Sequence, residues 1–262
     1  MLGKLFAQEM RALWKPAAIM LAVMVVAGVV GIGCIEATDA VSRAAGFASR
    51  YVNEASAASN LTVVFVMAAL FCGQVGMLAI CEAQPNPSPL GARRTLGATS
   101  RGKTLAATLA ASWLISFLCL MVAFLYIRFA VGIDFSGREG LCAAALAVAA
   151  LLSTALGTLL GSLPKVGMGV KTGLLTALTC FLSLFAGLYG EPCMELADSI
   201  TRNYPLLASM NPAKVVTDLF YSLYYYDSLA PFAQKAGILL AMAAVLFAVS
   251  ALFVRRQRYA SL

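Results

Sequence analysis

The strongest chemical signature in the chain is Gly97-Ala98-Thr99-Ser100-Arg101-Gly102-Lys103-Thr104, which fits G-x-x-x-x-G-K-[ST]. In nucleotide hydrolases that loop cradles phosphates with backbone N–H groups, and its lysine and hydroxyl serve the phosphates and Mg²⁺. The chemistry needs a buried strand before the glycines and a helix after them, in an α/β domain that also supplies a Mg-holding acid. Here Gln84-Pro85-Asn86-Pro87-Ser88-Pro89 comes first, and such a run cannot form a central strand. No loop carries a hydrophobic strand ending in Asp, and none is long enough for a nucleotide domain. The match is read as coincidental.

Other catalytic constellations are missing. The chain has no histidine, which excludes His-based metal sites and a His general base. Its 7 cysteines lie mostly in or beside apolar blocks, with no CxxC pair. Cys34 and Cys193 both fall on the expected outer side; a disulfide is open to them, although the spacing does not demand one and two free thiols are the simpler expectation. Thr172, Thr176, Thr179 and Ser183 repeat at i, i+4, i+7 and i+11 and share one helical stripe. They either line a translocation path or act as glue between membrane helices, and such hydroxyls also satisfy their own backbone carbonyls. Thr154, Thr158 and Ser162 run beside Gly157 and Gly161, a small-residue surface that favours close helix packing. The glycines at 28, 31 and 33 have a similar look and suit subunit association.

Arg128 is the only charge deep within the apolar stretches, placed to snorkel outward or to pair with Asp134. Acidic residues are missing from the apolar interiors, which argues against a proton- or sodium-driven carrier. Nor are there paired carboxylates, a Ser/His pair or a metal cluster for hydrolysis or phosphoryl transfer. The chain reads as non-catalytic.

The elements that must position these residues follow from composition. Of 262 residues, 61% are hydrophobic and 12% charged, against roughly 25% charged in a soluble domain. The apolar residues come in blocks of about 20, enough to cross a bilayer core as helices. The expected fold is an all-α integral membrane protein, one transmembrane domain over residues 1–262. Residues 1–15 form an amphipathic helix, with Leu2, Leu5, Phe6, Met10, Leu13 and Trp14 opposite Lys4, Gln8, Arg11 and Lys15, suited to the interface plane. Six spans follow, at about 17–33, 60–81, 105–131, 139–163, 171–189 and 235–254. The first is read as a retained anchor rather than a cleaved signal peptide. Two long connections stand out: a basic, proline-rich loop at 82–104 and a segment at 190–233. In the latter, Asn211-Pro212 is a helix start with Asn as cap and Pro at the first position. Val215, Val216, Leu219, Phe220, Leu223 and Tyr224 then repeat at helical spacing, and Tyr221, Tyr224, Tyr225 and Tyr226 suit a headgroup boundary.

The net charge of +7 does not point to nucleic acid, because the bases alternate with apolar blocks as the positive-inside rule requires. With both termini inside, the inner side holds Lys4, Arg11 and Lys15, Arg93, Arg94, Arg101 and Lys103, Lys165 and Lys171, and Arg255, Arg256 and Arg258. Those are twelve of the 19 bases, against only Glu9 and Glu82 of the 12 acids. The count favours six spans with both termini cytoplasmic. Membrane lipid is an expected partner, since Arg93, Arg94, Arg101 and Lys103 suit anionic headgroups.

In this arrangement the whole chain resembles the membrane permeases of type-2 ABC exporters. The resemblance rests on the basic N-terminal helix, the six spans, the loop ending in Ser100-Arg101-Gly102-Lys103, the outer helix from Asn211-Pro212 to near Tyr226-Asp227, and the basic tail Arg255-Arg256-Gln257-Arg258-Tyr259. Ala98-Thr99 stands where members often carry proline before the Ser-Arg element. The resemblance implies a plasma (inner) membrane permease that pairs with a second copy or a sister permease. It also implies coupling through Glu82, Arg93, Arg94, Ser100, Arg101 and Lys103 to separate cytosolic ABC ATPase subunits. ATP and Mg²⁺ would sit on those partners, with no cofactor on this chain. Thr172, Thr176, Thr179 and Ser183 are then candidates for the path, and Asn211, Pro212, Tyr221, Tyr224 and Tyr225 for the outer segment. The mostly apolar interior suits a hydrophobic or amphipathic cargo. The rival readings are an ATP-independent carrier or channel, or a non-transport immunity or assembly factor.

Overall fold

A computed structural model of the chain describes residues 3–14, 18, 62–63, 65–84, 101–126, 128–129, 137–189, 191–226 and 228–256. The first expected span, most of the basic loop and the end of the basic tail lie outside those residues. Among the described residues every regular element is helical: α1 (3–14), α2 (Phe65–Ala83), α3 (Arg101–Tyr126), α4 (Glu139–Gly161), α5 (Met168–Phe185), α6 (Glu191–Asn203), α7 (Pro205–Met210), α8 (Pro212–Tyr225) and α9 (Ala230–Arg256). Five of these, α2, α3, α4, α5 and α9, are long and apolar enough to cross a membrane.

Several helix ends differ from expectation for local reasons. Helix α3 is already formed at Arg101, ahead of the expected 105, which adds a polar turn before the apolar run. Helix α9 starts at Ala230 rather than 235, where Ser228 Oγ accepts from the Ala230 N–H at 3.2 Å and Pro231 occupies the first turn. Between α4 and α5 the chain turns back over Pro164 to Gly167, with Lys165 in the left-handed region at φ 59°. The long connection after α5 folds into three helices, α6, α7 and α8.

Helix α4 is the hub, packing against α2, α3, α5, α8 and α9. Its closest partner is α2, and the reason is glycine. A Cβ on Gly73 would stand 2.9 Å from the Ser153 carbonyl oxygen, and one on Gly76 2.7 Å from that of Thr154. From the other side, a Cβ on Gly157 would run into the Gly73 carbonyl, and one on Gly161 into Ile80. Gly157, expected to mediate close packing, therefore faces Gly73 backbone to backbone, while Gly161 faces Met77 and Ile80 and Gly76 faces Thr154. With lipid as apolar as the side chains, such van der Waals fit is what holds membrane helices together.

Helix α8 is the other core element. Ala213, Val215, Val216, Thr217, Leu219, Phe220, Ser222 and Leu223 are all buried, which covers most of its circumference. The main core joins them to Phe65, Leu120, Phe124, Leu146 and Leu239 from α2, α3, α4 and α9. Phe220 stacks on Phe65 with ring centres 5.7 Å apart. Of the expected periodic residues, Val215, Val216, Leu219, Phe220 and Leu223 are thus part of the core.

Candidate functional site

The hydroxyl stripe of α5 turns toward the chain's own helices. Thr172 is exposed and donates back to the Met168 carbonyl at 3.0 Å. Thr176 is half-buried and accepts from Gln74 Nε2 of α2 at 3.1 Å. Thr179 and Ser183 are buried, and the Ser183 hydroxyl has no hydrogen-bond partner among the described residues. The hydroxyls of α4 are satisfied locally: Thr154 donates to Ala150 at 2.8 Å, Thr158 to Thr154 at 2.6 Å, and Ser162 to Leu159 at 2.7 Å. Gln74 escaped the sequence reading because a single amide in an apolar block shows no period.

One end of the bundle carries the flanks of the basic loop. Glu82 is half-buried near the end of α2, and Lys103 is exposed in the first turn of α3. Arg101 opens α3, while Arg93, Arg94 and Ser100 lie outside the described residues. Helix α1 docks against the same two helices: Leu13 is fully buried with Val75 and Ala79 of α2 and Ala111 and Ile115 of α3. Part of its apolar face is thus taken up by protein, and Trp14, expected beside Leu13, is 61% exposed instead. Glu9 shares the packed side and is buried.

Lys171 lies at this end too. Its backbone is in the first turn of α5, and its side chain is 2% exposed. The ammonium donates to the Gly161 carbonyl at 2.6 Å and contacts Cys81 Sγ at 3.7 Å. Arg128, itself half-buried, is therefore not the only charge among the spans. Lys171, expected among the bases at the inner side, lies within α5, and a four-carbon stem turns its charge inward.

At the opposite end, polar groups strap α8 in place. Asn211 caps it, Oδ1 accepting from the Ala213 N–H at 3.0 Å, while Nδ2 donates to the Leu182 carbonyl of α5 at 3.0 Å. Pro212 takes the first helical position. At the other terminus Arg138 donates to the carbonyls of Leu223 at 3.0 Å and Tyr226 at 2.6 Å. Asp218 bridges Lys214 at 2.9 Å and Lys235 of α9 at 2.7 Å. Arg128 pairs with Glu139 at 2.8 Å rather than staying free to snorkel; Asp134 lies outside the described residues.

The tyrosine cluster at this end divides. Tyr221 is half-buried and Tyr226 exposed. Tyr224 and Tyr225 end the helix, with side chains outside the described positions. Leu206, Leu207 and Met210 of α7 are exposed here as well. Cys193 is a free thiol, like Cys180 and the four described cysteines within α2, α3 and α4; Cys34 lies outside the described residues.

Among the described residues the closest helix contacts are glycine seams, and most polar side chains pair within the chain. Five helices long and apolar enough to cross a membrane thus pack around the buried α8. Residues 40–252, most of the chain, match the family described as "ABC-2 family transporter protein", and the chain belongs to that family. It is a multi-pass membrane protein and a membrane component of ABC-type transport. No curated protein and no solved structure matches it.

Proposed function

We propose that this chain is the membrane-spanning subunit of an ATP-driven exporter, powered by separate cytosolic ATPase subunits and working beside a second copy or a sister permease. The observation that carries this beyond family membership is the convergence on α2 and α3. These two helices flank the basic loop, and α1 packs on both of them. A partner pressing on the loop, through Glu82, Arg93, Arg94, Ser100, Arg101 or Lys103, and on the N-terminal helix would act on one packed unit.

The orientation is both termini cytoplasmic in the plasma (inner) membrane, from the distribution of basic residues. ATP and Mg²⁺ belong to the partner. The path forms where two permease copies meet, with Thr172, Thr176, Thr179 and Ser183 on the helix that reaches it. Ser183 supports that assignment: a buried hydroxyl without a partner costs about 1–3 kcal/mol, a cost relieved if water reaches it at another stage of the cycle. The outward side chains of α5 and α9, among them Val170, Phe181, Leu240 and Val245, suit lipid or a second copy. The cargo is hydrophobic or amphipathic.

The test is a pull-down of the tagged protein from native membranes in mild detergent, with and without ATP and vanadate, read by mass spectrometry. An ABC ATPase at near-equal amount is the expected result, weakened by substitution at Arg101 or Lys103. Recovery of the permease alone under trapping conditions, or ATP hydrolysis by the purified chain itself, would overturn the reading.

A further inference from the structure

A cation in the first turn of a helix faces the positive end of that helix's own dipole. Lys171 holds such a position in α5 and is buried as well. No carboxylate among the described residues forms an ion pair with it. Its ammonium instead meets the last residue of α4, at the Gly161 carbonyl, and the third residue from the end of α2, at Cys81. Both are C-terminal helix ends, where carbonyls lack partners and the dipole is negative. The Cys81 thiol also donates to the Gly161 carbonyl at 3.6 Å, so three helices meet at one node. Gly161 permits it, since a Cβ there would strike Ile80. A serine or asparagine would cap one helix end with less desolvation; a long cationic side chain joins two. Cys81, in the node, directly precedes the basic loop at 82–104.

We propose that Lys171 is a positioning residue for energy coupling: it ties the end of α2 to the end of α4 and the start of α5, so that displacement of the basic loop moves the three helices together. The inference rests on the permease reading above. Without the tie, α2 would move and the hydroxyl-bearing α5 would lag. A residue that merely caps α4 would affect stability but would not separate the responses of the helices.

The test uses the complex of permease and ATPase purified from native membranes, comparing hydrogen exchange without nucleotide and after trapping with Mg-ATP and vanadate. In the wild type, residues 78–84, 158–163 and 168–173 should change together, with a single midpoint on ATP titration. Lys171→Met should keep the ATPase at wild-type ratio and keep the change at 78–84, but lose it at 158–173. Lys171→Arg, which retains the charge and reach, should restore the joint response. A joint response unaltered in Lys171→Met would overturn the coupling role. If that variant does not fold, the wild-type titration decides, because separate midpoints for the three segments also overturn it. Absence of an ATPase from the wild-type preparation is a different failure, which removes the permease reading and this inference with it.

Discussion

The α2–α4 seam and the α8 wedge are both buried, and they are held by opposite means. The seam is steric: Gly73, Gly76, Gly157 and Gly161 bring two backbones together, and the hydroxyls beside them on α4 bond to carbonyls of their own helix. The wedge has an apolar body around Phe220, but its ends are fixed by polar side chains: Arg138, ahead of α4, reaches in to one, and its own cap Asn211 reaches out to α5 at the other, with Asp218 joined to Lys235. A seam of this kind tolerates little sliding, because every displacement meets a backbone atom. Straps can exchange partners with water one at a time. The difference predicts a rigid pair, α2 with α4, and a helix whose ends loosen before that pair does.

The sharpest way to break that contrast is one substitution made in two places. Gly157→Ala puts a methyl group against the Gly73 carbonyl and the Met77 amide, and forcing the helices apart should destabilise the protein by about 2–3 kcal/mol. Gly140→Ala, in the first turn of α4 with nothing within 4 Å, should leave stability unchanged or raise it by up to about 1 kcal/mol. Unfolding in mixed micelles measures both. Equal effects at the two sites would mean that the seam is not a steric contact.

The straps should respond more weakly and more locally. Arg138→Met removes two charge-assisted bonds to the end of α8, about 2 kcal/mol, and should speed hydrogen exchange in residues 220–226 while the α2–α4 seam stays protected. Asp218→Asn breaks ion pairs whose side chains are 17–29% exposed; partly solvated pairs of this kind contribute under about 1 kcal/mol. Global loss of protection in Arg138→Met would show that the wedge and the seam are one cooperative unit.

What the sequence could disclose follows the range of the interaction. Hydropathy blocks located the five described spans, because bilayer thickness fixes their length locally. The start of α8 was legible in Asn211-Pro212 for the same reason: a cap concerns residues two or three apart. Gly157 and Gly161 announced a close contact, but nothing local named Gly73, Met77 and Ile80 as the partners. Tertiary choice also decided that Arg128 meets Glu139, and that α8 is buried nearly all round although its tyrosines suggested a headgroup boundary. Lys171 was hidden most completely. Its role depends on two helix ends 10 and 90 residues away along the chain, and a lysine beside a loop reads as an orientation signal whichever way its ammonium turns.

The finest probe of the rigid pair is the bond from Gln74 of α2 to Thr176 of α5, the one direct polar link between the hydroxyl stripe and α2 among the described hydrogen bonds. Hydrogen bonds between membrane helices contribute about 0.6 kcal/mol on average and at most about 1.7, because the unfolded chain in lipid also finds partners. A double-mutant cycle with Gln74→Leu and Thr176→Val should therefore give a coupling energy of about 0.6 kcal/mol, far below the effect of Gly157→Ala. If the stripe only holds helices together, transport in the reconstituted complex should fall no further than stability does. If Thr176 lines the path, Thr176→Val should alter transport even where the cycle shows stability barely changed. A coupling energy of zero would mean that α5 is held to α2 by packing and by Lys171 alone, leaving its hydroxyls free to face whatever passes.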